Sequence, residues 1–405
     1  MQTSQQNPPA DRTVALGLWA VFITQFVSFL FINARNIAQP GIINEFNGMA
    51  LFSGLIALPA LTGAASTLLF GKLSDIYGRR AILLLSIGIF LLGLGISARA
   101  TSMAFLVAAA TFMSIGHFPI IPLCFSAIGD LFPPAERAKW TGLLSLPSGM
   151  AALMGPVLGG VVAESLFGWR GLYWGTVPLM LIAGGLVFVG LPINTQTTRP
   201  RMDVLGTFVM VLATTTLFIG FSWLGAADRL RIGTVLLLIS LAAWAGFLRI
   251  EKRAEAPILD PEVLFNRTFV TAAVTGLLSY FGIVAIQAYS PIFVQEVMAV
   301  SPTVSGSMLT PFSALFTFVG IPAGFLLART RKYRWLYNFG YAVATLALLA
   351  MWRFTVSTPI WVYVLVTSIA GIGLGMMPTI NAVVAQLPYP KIFWVWRLAR
   401  SFSSR

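Results

Sequence analysis

The sequence predicts an all-α, polytopic membrane protein. Composition is the first reason. Of the 405 residues, 57% are hydrophobic and 10% charged, and the mean hydropathy is +0.85, whereas soluble domains carry about 25% charge. Pattern is the second reason. The apolar residues come in blocks of about 20, the length at which a helix crosses a bilayer, and they do not alternate every second residue as barrel strands do. The placement of Lys and Arg is the third, because it gives those blocks one consistent orientation.

Twelve blocks follow one another, near residues 14–36, 51–70, 81–98, 103–128, 141–163, 171–191, 204–224, 232–248, 269–289, 304–327, 335–352 and 359–382. The first is too long for a signal-peptide core and lacks a small-residue cleavage site, so it is expected to be retained. With the amino terminus inside, 20 of the 26 basic residues fall in inner loops. The other 6 (Arg35, Arg99, Arg170, Arg229, Arg231 and Arg353) fall outside. The inverted topology reverses that ratio, so the positive-inside rule predicts a multi-pass cell (inner) membrane protein with a cytoplasmic N-terminus. The net charge of +13 is then an orientation signal and a contact surface for anionic lipid, not a nucleic-acid footprint. The single Cys124 excludes an intramolecular disulfide and a cysteine-based metal cluster. One histidine and thirteen acids, nearly all in loops, give no nucleophile–base pair and no metal site, so neither enzyme activity nor a cofactor is expected.

The charged stretch "GKLSDIYGRR", Gly71–Arg80, forms the cytoplasmic turn between helices 2 and 3. Asp75 and Arg79 share a face if the turn is helical, and Gly71 and Gly78 allow tight backbone turns. On spacing alone the stretch also reads as a stop signal with a helix cap. It has a weak echo 252 residues later. Ser53, Gly54 and Pro59 map onto Ser305, Gly306 and Pro311; Arg79 and Arg80 map onto Arg331 and Lys332; Asp75 maps onto Leu327. Parallel repeats of this kind build transporters whose halves rock around a central site. In "AALMGPVLGG", Ala151, Gly155 and Gly159 are spaced by four, a smooth face for close helix packing. Pro156 removes a backbone bond and favours a bend.

These two stretches resemble motifs A and C of the major facilitator superfamily. "DLFPPAERAKWTG" (Asp130–Gly142), "NIAQP" (Asn36–Pro40), "SPTVSG" and "GIGLGM" resemble signatures of its fourteen-span drug:proton antiporter branch. The resemblance covers roughly residues 15–386 and implies a major facilitator fold. The predicted division is a cytoplasmic tail (1–13), a six-helix bundle (14–191), two linker helices (192–248), a cytoplasmic loop (249–268), four helices of an incomplete second bundle (269–386) and a basic aromatic tail (387–405). In that tail Trp394, Trp396, Arg397 and Arg400 suit a membrane interface. The branch continues with two more helices, so the chain is expected to be shortened at its C-terminus, leaving Asp75 without its partner in helix 13.

The resemblance implies a secondary active exporter of small amphipathic molecules or drugs, coupled to protons and working as a monomer. Gly71, Asp75, Gly78, Arg79 and Arg80 would gate it, and Gly155, Pro156, Gly159 and Gly160 would shape helix 5. Two alternatives stand beside this reading: a non-transporting remnant, and a carrier of neutral or anionic metabolites. The last draws on two departures from the branch, which places an acid near Phe31 and an arginine near Phe112. The polar groups left at depth are candidates for a cavity or proton path. His117 either titrates there or is a neutral histidine tied to a neighbouring helix. Arg35, at the outer end of helix 1, either snorkels to the headgroups or meets an anionic substrate. Asn33 and Gln287, with Gln25, Gln39 and Asn381, are interhelical glue or cavity lining. Glu164 is expected to be solvated, and Asp130 and Glu136 to act as cap or salt-bridge residues.

Overall fold

The computed structural model describes residues 11–132, 136, 140, 142–193, 204–224, 230–251, 266–330 and 333–386. Arg137, Arg331, Lys332 and the basic aromatic tail 387–405 lie outside the described residues, as do most of the two predicted cytoplasmic loops after residues 193 and 251. Every regular element among the described residues is helical. The reason is physical: hydrocarbon offers no hydrogen bonds, so each segment must satisfy its own backbone. Ten helical segments are long and apolar enough to cross a membrane.

The chain divides into two compact units, residues 1–250 with 291–307, and residues 251–290 with 308–405. The first unit contains α1 (Asp11–Phe46), α2 (Phe52–Tyr77), α3 (Arg79–Ala98), α4 (Met103–Leu131), α5 (Ser145–Glu164) and α6 (Arg170–Gly190), then α7 (Val204–Leu224) and α8 (Leu230–Glu251). The helix α1 is its hub and packs against α4, α5 and α6, while α4 also packs against α2 and α3. The apolar block near 14–36 understates α1. Asn36, Gln39 and Asn44 end the apolar run, yet the helix continues through Pro40 to Phe46. Those amides are bonded where they stand: Gln39 Nε2 donates to Asn36 Oδ1 at 3.3 Å, and Asn44 Nδ2 to Glu296 at 2.7 Å.

Side-chain hydroxyls in the apolar helices bond back to the preceding turn. Thr24 donates to the Ala20 carbonyl at 2.6 Å and Ser86 to that of Ile82 at 2.9 Å, so neither needs a partner in lipid. Helix approach is set by small residues. A Cβ on Gly116 of α4 would overlap the Ser86 carbonyl and stand 2.6 Å from the Phe90 nitrogen of α3. The core around this seam includes Leu83, Phe90, Leu94, Ala110, Met113 and Ile120, all buried.

The second unit holds most of α9 (Arg267–Ile292) and α10 (Pro302–Phe318), with α11 (Gly320–Thr330), α12 (Tyr333–Met351) and α13 (Ile360–Gln386). The predicted block at 304–327 is two helices, α10 and α11, interrupted at Val319. The helix α13 packs on α12 and α11. Gly373 brings α13 so close to α12 that a Cβ there would lie 2.6 Å from the Ala344 nitrogen. Leu336, Met377 and Ile380 fill one buried cluster, and Ile286, Phe312 and Leu374 another. Between Ile292 and Pro302, a π-helical turn at Phe293–Val297 leads into the stretch that belongs to the first unit.

The α3–α4 seam yields a paired prediction. Gly116→Ala drives a methyl into fixed backbone and is expected to destabilise the protein by about 1–3 kcal/mol. A Cβ at Gly95, on the same α3, meets nothing within 4 Å. Thermal melting of the purified protein in detergent is expected to show a clear drop for Gly116→Ala and little change for Gly95→Ala.

Candidate functional site

Two ends of the first unit carry the candidate residues, and a third set lies between them. At one end α2 turns into α3 through Gly78, whose φ of 88° is a conformation that favours glycine. That turn brings Arg79 back onto Asp75, with Nη2 2.8 Å from Oδ1. The same guanidinium reaches α4, where Nε lies 3.5 Å from Asp130 Oδ2, and its Nη1 donates to Ser74 Oγ at 3.2 Å. Arg79 therefore sits between two carboxylates on different helices, and Asp75 has a partner within its own turn. Arg80 points elsewhere. It donates to the Leu191 carbonyl at 3.3 Å beyond the end of α6 and lies over the Phe188 ring at 4.6 Å. Gly71 supplies the carbonyl that accepts from Ser74 Oγ at 2.6 Å, and a Cβ there would meet nothing. Glu136, expected to cap or pair, accepts from Trp140 Nε1 at 3.3 Å.

At the opposite end the motif on α5 makes two different close approaches. Gly155 and Gly159 face α1: a Cβ on Gly155 would stand 2.5 Å from the Asn33 Cβ, and one on Gly159 would overlap the Ala34 backbone. Gly160 instead faces the start of α10, where a Cβ would overlap Pro302 and stand 2.6 Å from the Thr303 Cα. The reciprocal position is Gly306, whose Cβ would overlap the Pro156 carbonyl. Beside this seam the Glu164 carboxylate, expected to be solvated, is engaged. It accepts from the Thr303 backbone N–H at 2.8 Å and from its hydroxyl at 2.7 Å, at the N-terminus of α10. Gln295 Nε2 donates to the Ile37 carbonyl at 2.9 Å. Glu45 takes Arg170 at 2.7 Å and Trp169 Nε1 at 2.7 Å, while Arg170 also donates to the Ala100 carbonyl at 2.8 Å. Residues 291–307 thus close this end against α1 and α5.

Between the ends lies the interior of the six-helix bundle. His117 is buried in a cage of rings, stacked on Phe90 with centroids 4.3 Å apart and edge-on to Phe31 at 5.7 Å. Its Nε2 lies 3.3 Å from the Ser28 carbonyl. A carbonyl only accepts, so Nε2 carries the hydrogen and ties α4 to α1. Arg35 is not at the end of its helix, because α1 runs about three turns further, to Phe46. It is half-buried, with the Tyr173 hydroxyl and the His117 ring as electrostatic neighbours. Asn33 donates to the Phe29 carbonyl of its own helix at 2.8 Å. Gln25 joins α1 to α5, donating to the Leu144 carbonyl at 2.9 Å and to Ser148 Oγ at 2.8 Å.

In the second unit Gln287 is half-buried on α9. The polar cluster there is one that sequence reasoning caught only at Asn381. Asn381 Oδ1 accepts from the Tyr337 hydroxyl at 2.5 Å and from Thr275 Oγ1 at 3.1 Å. Tyr341, one turn after Tyr337, bonds the Thr275 carbonyl and lies 2.7 Å from Ser279 Oγ. The only advance signal was the spacing of two tyrosines by four in α12. Among the described residues, no three His, Cys, Asp or Glu side chains gather as metal ligands.

Comparison with known proteins shows the family. The model of the Major Facilitator Superfamily matches residues 21–392. The chain belongs to this superfamily. The multidrug transporter protein MdtP of Bacillus subtilis is 28% identical over 330 residues, covering 81% of this chain and 60% of that protein. The efflux pump FUS6 of Gibberella fujikuroi is 25% identical over 425 residues, covering 99% of this chain and 76% of that one. An uncharacterized superfamily transporter of Mycobacterium tuberculosis is 26% identical, and the match spans 51% of its length. The chain thus spans between half and two thirds of the length of the bacterial relatives. Among solved structures, the POT family transporter PepTSo superposes with a TM-score of 0.68 at 15% identity, over 95% of this chain and 85% of that one. A bacterial homolog of the human lysosomal transporter Spinster gives 0.61 at 19%, over 94% and 79%. Membership, with ten helices long and apolar enough to cross a bilayer, makes this a multi-pass membrane protein.

The double hold on Arg79 is open to a direct measurement. In a double-mutant cycle, Arg79→Gln and Asp130→Asn are expected to couple by about 0.5–1 kcal/mol, weakening at high salt because both groups are partly exposed. Additive effects on the melting temperature would mean that the 3.5 Å approach contributes nothing.

Proposed function

We propose that this chain exports small amphipathic molecules across the cell membrane by alternating access, driven by the proton gradient, with its N-terminus in the cytoplasm. The observation that carries the reading is the pair of opposed devices in the first unit. At the basic end, Arg79 holds α2, α3 and α4 through Asp75 and Asp130. At the other, Gly160 and Gly306 let α5 and the start of α10 touch backbone to backbone, with Glu164 clipped to Thr303. The first device rests on charge and the second on close packing, and alternating access needs one end to release while the other holds. The positive-inside count supports placing the basic end in the cytoplasm. The names of the relatives from Bacillus and Gibberella support export. In this reading Asp75, Gly78, Arg79 and Arg80 set the cytoplasmic gate, and Gly155, Pro156, Gly159 and Gly160 the outer one. His117 locks α4 to α1 while the bundle moves as a body.

Two measurements test this. Cells expressing the chain are expected to extrude a lipophilic dye such as ethidium, to stop on addition of a protonophore, and to do so far more slowly with Asp75→Asn at equal membrane abundance. Absence of efflux from a well-expressed protein sinks the drug-export reading. Separately, Gly160→Leu is expected to force the outer seam apart at a cost of about 1–3 kcal/mol, shifting the sealed state by about fivefold or more. The readout is labelling of Thr303→Cys by a membrane-impermeant maleimide in a Cys124→Ala background. Unchanged labelling would remove the seam from the gating mechanism.

A further inference from the structure

Arg35 stands apart from every other charge described. It is the only charged side chain among the described residues that lies more than two turns from a helix end. A charge within the body of a membrane-spanning helix is costly and is kept where it has work to do. Among the described residues no carboxylate lies within ion-pair distance of it, and the nearest acid on α1, Glu45, is taken by Arg170. A guanidinium does not deprotonate at any working pH, so the positive charge is permanent. Its surroundings are polar and incompletely used. Arg35 shares one face of α1 with Ser28 and Gln39, at offsets of seven and four. Ser28 Oγ, Gln39 Oε1 and the Tyr173 hydroxyl are all buried without a well-formed hydrogen bond. Two of those three are hydroxyls able to donate. The apolar side of the same region is aromatic, with Phe31 5.3 Å from Tyr173 and 5.5 Å from Phe90. The set is a fixed cation, unused hydroxyl donors and aromatic rings, with no compensating acid.

We infer that Arg35, with the Tyr173 hydroxyl beside it, recognises the anionic head of the substrate, and that the substrates are amphipathic carboxylates or sulfonates. This rests on the exporter reading for its setting, but names a substrate charge that the reading leaves open. A permanent positive charge in a low-dielectric bundle attracts anions and repels lipophilic cations. A charge-assisted bond to a carboxylate or sulfonate is shorter and stronger than a neutral one.

The test uses a matched pair of fluorescent probes. Anilinonaphthalenesulfonate and phenylnaphthylamine share the same aromatic body and differ by the sulfonate. Equilibrium binding of each to the full chain in lipid nanodiscs, corrected for empty discs, is expected to favour the sulfonate by about tenfold or more. Arg35→Gln is expected to erase that preference and Arg35→Lys to keep part of it, at unchanged melting temperature. If Arg35→Gln does not fold, Tyr173→Phe decides, with sulfonate binding weakened about threefold. Equal binding of the two probes by the unmodified chain, or an undiminished preference in the folded variants, overturns the inference. Efflux from proteoliposomes, measured in parallel, judges the exporter reading separately. Sulfonate binding without efflux of either probe keeps the anion site and sinks export, whereas efflux of the neutral probe without a sulfonate preference does the reverse.

Discussion

Hydrocarbon cannot hydrogen-bond, and this single constraint organises the molecule. It makes each spanning segment a helix, because only a helix satisfies its own backbone. It also removes the usual drive for helices to associate, since lipid tails are as apolar as leucine. Association must then come from close packing and a few interhelical hydrogen bonds. The glycines at 93, 116, 155, 159 and 373 provide the first, each where a Cβ would press on a neighbouring helix. Gln25, His117 and Asn381 provide the second, each bonding beyond its own helix.

The same constraint explains how polar residues are distributed. Most threonines and serines in the spans bond their own helix and ask nothing of their neighbours. Among the amides, Gln25 and Asn381 tie helix to helix, while Asn33 and Gln39 bond within α1. What remains among the described residues includes the buried Ser28 Oγ and Gln39 Oε1, which have no hydrogen-bond partner, and Arg35, a cation more than two turns from either end of its helix. The arrangement at Arg35 matters because it is the exception to a rule that the other described charges obey.

The two ends of the first unit differ in kind. The basic end is held by charge, between partly exposed groups that salt screens. The opposite end is held by glycine-mediated backbone contact, reinforced by a carboxylate on a helix N-terminus. A contact of the second kind exists fully or not at all, because a methyl group is enough to prevent it. Such a seam suits a gate with two discrete positions.

The helical membrane class was legible in the sequence, because hydrophobic length is a local property, although of the twelve spans expected, ten among the described residues are long and apolar enough. The sequence marked Gly78 as a turn and Asp75 with Arg79 as neighbours, since both follow from spacing of three or four residues. Spacing by four put Gly155 and Gly159 on one face, and both meet α1, but spacing could not show that Gly160 meets Pro302. The sequence ended α1 near residue 36, because polar residues interrupt hydropathy without interrupting a helix, whereas the helix runs on to Phe46. Folding alone brings Arg79 to Asp130, clips Glu164 to Thr303, and gathers Tyr337 and Tyr341 around Thr275 and Asn381. Each of these joins residues far apart in the chain. Such pairings follow from how helices cross, a geometry that no local pattern encodes.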